Sequence, residues 1–115
     1  MSRNLRTEGA AAEDRAAEHL LAKGYTLVTR RRKVAGGEID LVCLDGETLV
    51  FVEVKARIAP GFRPEEAFGA AKAAHLRAAA RSWVAGCEGE ERPWRFDLVA
   101  IDPAGLRHYE NVLAE

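Results

Sequence analysis

At 115 residues, with 48% hydrophobic and 30% charged side chains, the chain has the size and composition of one globular domain and carries no low-complexity tract. Its 17 basic and 18 acidic residues leave a formal charge of −1, which excludes an overall basic footprint and shifts attention to how the charges are distributed. MSRNLRTEGAAAEDRAAEHL lacks the apolar centre of a signal peptide and no run approaches the ~18 apolar residues of a membrane span, so a cytoplasmic protein with no membrane association is expected.

From Glu8 to Lys23, Ala12, Ala16, Ala17, Leu20 and Leu21 recur at helical spacing, and Gly24 follows as a left-handed cap, so a first helix is predicted. Glu13 lies on the inward stripe with Ala16, Ala17 and Leu20, where a solvated charge does not belong; the alternative is the edge of the stripe with its carboxylate in water. Tyr25 to Arg30 reads as a first strand and RRKVAGG as a turn-rich loop. Arg30, Arg31, Arg32 and Lys33 form a basic run, either a nucleic-acid contact beside the acidic segment that follows or a solvated loop. Strands two and three, Glu38 to Leu44 and Thr48 to Arg57, flank the turn signal Asp45-Gly46. Cys43 in strand two and Cys87 further on match no metal spacing and are read as structural.

Pro60 and Gly61 break the chain, and a second helix runs from Pro64 to about Ala85 with Phe68, Leu76, Ala79 and Trp83 on one stripe. Lys72 falls on that stripe and has to snorkel toward the sheet end or a phosphate. Trp94 to Ile101 alternates as a strand, 102–105 has turn chemistry, and Leu106 to Val112 returns as an edge strand. The order αβββαββ, with a helical crossover that makes strands three and four parallel, predicts an α/β fold with a mixed central sheet flanked by helices. Arg95 and Asp97 share a strand face and read as a structural ion pair, and His19, His75 and His108 as packing or surface residues.

The hairpin carries the chemistry. Glu38, Asp40 and Val42 share one face of strand two, and Leu49, Phe51, Glu53 and Lys55 one face of strand three. A two-residue turn sets Asp40 opposite Phe51 and diagonal to Glu53, whereas a four-residue loop sets it directly opposite Glu53; either way the carboxylates lie within ~8 Å. Their repulsion calls for a hard divalent cation, for the Lys55 ammonium, or for exposure of this face to water.

Asp40 followed by Glu53-Val54-Lys55 resembles the D and ExK elements of the PD-(D/E)XK nuclease superfamily, whose restriction-endonuclease-like core has the order αβββαβ. GGEIDLV, FVEVKAR, Lys72 and RFDLV together resemble more closely the YraN-like family of small bacterial proteins related to Holliday junction resolvases. Departures are Arg31, where that family usually has Asn, and Ala56, where it usually has Thr. The resemblance implies that Asp40 and Glu53, with the Val54 carbonyl, hold Mg²⁺ or Mn²⁺. Lys55 then stabilises the phosphate or orients water, the former favoured because flanking carboxylates should keep it protonated. The run from Glu13 to Tyr25 resembles the resolvases' first helix, which makes Glu13 a third acidic member of the site; Glu38, on the Asp40 face, is either a supporting acid or a solvated strand end. The resemblance therefore implies an endonuclease acting on DNA, branched DNA included, and by analogy a two-fold homodimer. The alternative is a nucleic-acid or protein binding module without turnover. Sugar hydrolysis by paired carboxylates ranks last, since it needs no Lys55 and the hairpin has no aromatic platform.

Overall fold

The computed structural model describes residues 5–34, 37–56, 61, 69–86 and 92–113. Helix α1 (Leu5–Ala22) is followed by strands β1 (Thr26–Val34), β2 (Gly37–Asp45) and β3 (Thr48–Ala56), helix α2 (Ala70–Ala85), and strands β4 (Trp94–Asp102) and β5 (Gly105–Tyr109). Five strands form one sheet in the order β1-β2-β3-β4-β5. All neighbours are antiparallel except β3 and β4, which the α2 crossover makes parallel. This is the mixed α/β sheet flanked by two helices that the apolar periodicities predict, consistent with a restriction-endonuclease-like core.

Each helix covers one face. Small residues let α1 approach closely: Ala16 and Leu20 bury against Leu41, Cys43, Val50, Val52 and Val99. The helix stops where Gly24 takes φ +96 and the Tyr25 N–H donates to the Leu20 carbonyl at 3.1 Å, a left-handed exit that glycine makes without steric cost. On the other face Leu76, Ala79 and Ala80 of α2 pack on Val42, Phe51 and Phe96. Among the described residues no helix is long and apolar enough to cross a membrane.

Four details differ from the sequence reading. Arg31 to Val34 belong to β1 and are not a loop, because β2 is long enough to keep pairing through Val34 and Gly37. Asp45 faces Thr48, which gives the register with Asp40 opposite Glu53, closed by a two-residue turn at Gly46-Glu47 and not by a four-residue loop. β3 is described to Ala56, with Arg57 outside the described residues, and β5 ends at Tyr109; there the chain turns through Asn111 at φ 56, and the Val112 N–H donates to the Phe96 carbonyl at 2.8 Å. Within α2 the described helix begins at Ala70; Pro64, Phe68 and also Cys87 lie outside the described residues.

Asp97 on β4 has no exposed surface, yet it is fully partnered. It accepts from Arg95 Nε at 3.0 Å and from the Asn111 backbone N–H at 3.0 Å, and lies 2.7 Å from His108 Nε2. Lys23 Nζ sits 2.8 Å from His108 Nδ1; an ammonium only donates, so Nδ1 accepts and Nε2–H donates to Asp97. Burial acts to raise the Asp97 carboxyl, but the bonds from His108, Arg95 and Asn111 outweigh it and hold the group below the usual carboxylate range. The Arg95–Asp97 pair read from the sequence is thus the centre of a buried network tying α1, β4 and β5 together. Replacing Asp97 with Ala leaves the buried His108 imidazole without its acceptor and the half-buried Arg95 guanidinium with fewer partners, and should cost about 3 kcal/mol in urea denaturation at neutral pH; a loss under about 1 kcal/mol would show that the network contributes little.

Candidate metal and nucleic-acid site

The β2–β3 ladder is regular from Asp45↔Thr48 to Leu41↔Val52 and then stops. One step further, Asp40 falls across from Glu53. The Val54 N–H donates to Asp40 Oδ2 at 2.8 Å, so a carboxylate takes the acceptor place that a strand carbonyl holds elsewhere in the ladder. β2 changes its pleat at the same point. Ile39 and Val42 bury in the same core, under α2, whereas Leu41 faces α1, and strict alternation cannot put residues three apart on one face. The backbone turns about Asp40.

Its neighbour on the other side is irregular too. Arg30 faces Leu41 and Arg32 faces Ile39, leaving Arg31 opposite Asp40, with a left-handed φ of 50. Arginine adopts this conformation at a cost of about 1 kcal/mol, whereas asparagine tolerates it well, which gives a physical reason for the Asn usual at this position in the family the sequence resembles. The turn carries Arg31 to α1, where its Nε lies 2.8 Å from Glu13 Oε1. Arg30 reaches Asp14 at 2.6 Å and stands 4.0 Å from Glu13.

On β3, Glu53 has a side chain only 13% exposed, backed by Ile39, Phe51, Val52, Leu76 and Phe96. Lys72, from the first turn of α2, donates to Glu53 Oε1 at 2.9 Å, and Lys55 Nζ lies 3.8 Å from the same oxygen. Lys72 therefore does snorkel to the site end of the sheet. Burial acts to lower its pKa, but the hydrogen bond and charge of Glu53 override this and raise it. Lys55 behaves oppositely. Burial and the neighbouring Lys72 charge bring it below the usual lysine value, and Glu53 restores only part. The Lys72 charge is a tertiary influence on Lys55 that sequence spacing does not show, and Glu53 is shared with the closer Lys72.

Asp40 is pushed up to about 7, by burial first and then by the charge of Glu53, with smaller contributions from Glu13 and Glu38 against the opposing Val54 hydrogen bond. The site therefore brings Asp40, Glu53, Lys55 and Lys72 together. Glu13 is buried, as its stripe requires, and its charge reaches Asp40, but its described hydrogen bond goes to Arg31. Arg30 and Arg31 are turned toward the acids of α1, and the side chains of Arg32 and Lys33 lie outside the described residues. The donor set at Asp40 and Glu53, two hard carboxylates short of positive charge, fits a divalent cation.

The sequence reading did not anticipate a second cluster. Asp97, His108 and Glu110 place one potential ligand atom each within 4.8 Å of one another. No periodicity signals it, because the β4–β5 register alone brings these residues together. Asp97 and His108 already use their atoms on each other, Tyr25 Oη donates to Glu110 at 2.9 Å, and the Arg95 guanidinium stands among them. A cation has no place there.

The family model described as uncharacterised protein family UPF0102 matches residues 12–101. The chain belongs to the UPF0102 family. The motifs read from the sequence thus identify the YraN-like family correctly. A UPF0102 protein of Ralstonia nicotianae is 46% identical, over 82% of this chain and 76% of its own length. One of Symbiobacterium thermophilum is 43% identical, over 85% and 84%, and one of Chlorobaculum tepidum 39%, over 89% and 84%. UPF0102 membership therefore spans the elements that carry Glu13, Asp40, Glu53, Lys55 and Lys72.

Because the folded chain holds the Asp40 proton more tightly than the unfolded chain does, this group makes stability fall as pH rises from about 4 to about 7. Asp40→Asn should remove that fall and be more stable than the native chain at pH 7, by roughly 2–4 kcal/mol. Urea midpoints across this range in a chelating buffer check it; parallel curves for the two proteins would contradict it.

Proposed function

We propose that this UPF0102 protein is a divalent-metal-dependent nuclease that hydrolyses phosphodiester bonds of DNA, in the manner of the resolvases its motifs resemble. The observation that supports this reading is the convergence of Asp40 and Glu53 where β2 and β3 part, with Lys72 2.9 Å and Lys55 3.8 Å from the same Glu53 oxygen. A structural ion pair needs one lysine. Two lysines on one carboxylate beside a second carboxylate whose pKa is pushed up to about 7 is an arrangement prepared for a phosphate and a cation.

Asp40 and Glu53, with the Val54 carbonyl, would hold Mg²⁺ or Mn²⁺, which when bound supplies Lewis-acid polarisation of a phosphodiester. Lys55 is placed to stabilise the phosphate or to orient the attacking water as its oxygen bonds to phosphorus, the water proton passing to solvent. Lys72 stays protonated and stabilises charge on the non-bridging oxygens as the scissile P–O bond breaks. Arg31 keeps Glu13 partnered beside the site.

The second reading, a DNA-binding module without turnover, has one observation in its favour: Arg30 and Arg31 spend charge on Glu13 and Asp14, which reduces what is offered to a duplex. Labelled linear, flap and four-way DNA, with Mg²⁺ or Mn²⁺ and without, separates the two. Cleavage is expected with metal, and Lys55→Ala should slow single-turnover cleavage by about 100-fold or more while DNA binding in chelator persists. Failure of the native chain to cut any substrate would leave the binding module; native-like cleavage by Lys55→Ala would remove Lys55 from the chemistry.

A further inference from the structure

Arg31 stands across from Asp40 on the neighbouring strand, between the pairs Arg30↔Leu41 and Arg32↔Ile39, and a left-handed φ of 50 turns it toward α1. There its Nε bonds Glu13 Oε1 at 2.8 Å. Glu13 is not an isolated acid: its charge reaches Asp40, and the charges of Glu38 and Asp14 act on Arg31 as well. The guanidinium is therefore the cationic member of a group of carboxylates that includes Asp40. The two partners differ in freedom. The Glu13 side chain is 11% exposed and is held between α1 and the sheet, whereas that of Arg31 is 37% exposed and keeps the rotamer freedom to leave. Nor does Glu13 depend on Arg31 alone for a partner, because Arg30 stands 4.0 Å from the same Oε1.

A divalent cation at Asp40 and Glu53 draws on the same negative charge that Arg31 neutralises, and it repels the guanidinium. We infer that Arg31 is a built-in counter-ion that competes with the divalent cation: it balances the acidic group when no cation is bound, and it weakens cation binding for as long as it stays on Glu13. The inference rests on the cation reading above and adds a regulation of that site, in which metal affinity is given up to keep buried carboxylates partnered. An arginine that served only to partner Glu13 would behave differently. Its removal would cost stability and leave cation affinity unchanged or lower, whereas removal of a competitor raises it.

Calorimetric titration with Mn²⁺, without DNA, tests this. Arg31→Asn removes the charge and suits the left-handed backbone. It should bind Mn²⁺ about tenfold more tightly than the native chain, the effect of one unit charge on a divalent ion at about 6 Å through water. Arg31→Lys keeps the charge and should bind Mn²⁺ as the native chain does. Adding Asp40→Asn to Arg31→Asn should abolish the gain, which ties it to this site. Arg31→Gln removes the charge but keeps a hydrogen-bond donor for Glu13, and it takes the place of Arg31→Asn if that variant does not fold. Weaker binding by the charge-removing variant, an equal gain in Arg31→Lys, or a gain that survives Asp40→Asn would overturn the counter-ion role. Equal binding by the native chain and the variants removes that role alone, and no Mn²⁺ bound by any of them removes the cation reading with it. A gain in Arg31→Asn without cleavage of any DNA by the native chain supports the counter-ion role and removes the nuclease reading alone.

Discussion

The site depends on one hydrogen bond, from the Val54 N–H to the Asp40 carboxylate. In a continuous hairpin that N–H would find a carbonyl of β2, and the two strands would stay closed to their ends. Here the ladder stops at Leu41 and Val52, and a side chain supplies the acceptor. The exchange satisfies the backbone group while letting the strands part, and it fixes Asp40 beside Glu53. The same turn in β2 brings Ile39 into the core under α2 and puts Arg31 in a left-handed conformation aimed at α1. A mixed sheet with a parallel β3–β4 pair then delivers α2, and with it Lys72, to the same end.

Charge is partitioned around this opening. α1 presents Glu13 and Asp14, and β1 answers with Arg31 and Arg30, so that part of the surface is closed electrostatically. Glu53 carries two lysines and Asp40 none; burial first and then the Glu53 charge raise the Asp40 pKa, and burial first and then the Lys72 charge lower that of Lys55. The carboxyl least able to ionise and the lysine least able to stay charged are neighbours, an imbalance that added positive charge at Asp40 would relieve. At the far end of β4 the situation is reversed. Asp97 is buried but matched by Arg95, His108 and Asn111, a closed network that stabilises the fold and offers nothing to a ligand.

Much of this was legible in the sequence, because period-two and helical patterns fix which face each residue takes. Those patterns put Asp40, Glu53 and Lys55 on one hairpin, Lys72 on the inward stripe of α2, and Glu13 on that of α1. The register was left open, since Asp45-Gly46 is compatible with two loops and only packing of the whole sheet selects between them. The extension of β1 through Val34 was hidden because RRKVAGG has the composition of a loop, and strand pairing overrode it. The influence of Lys72 on Lys55 was hidden for a related reason: sequence places Glu53 two residues away, but the contact with Lys72 is tertiary. The Asp97, His108 and Glu110 cluster likewise exists only once β4 and β5 are assembled.

The central claim is that a divalent cation belongs where β2 and β3 part and not at the buried polar cluster of β4 and β5. Paramagnetic broadening of backbone amide resonances by substoichiometric Mn²⁺ tests it most directly. The amides of Asp40, Leu41, Glu53, Val54 and Lys55 should be lost first, with Lys72 close behind and Asp97, His108 and Glu110 retained. Broadening centred on Asp97, His108 and Glu110, or spread over the surface without a centre, would contradict the account.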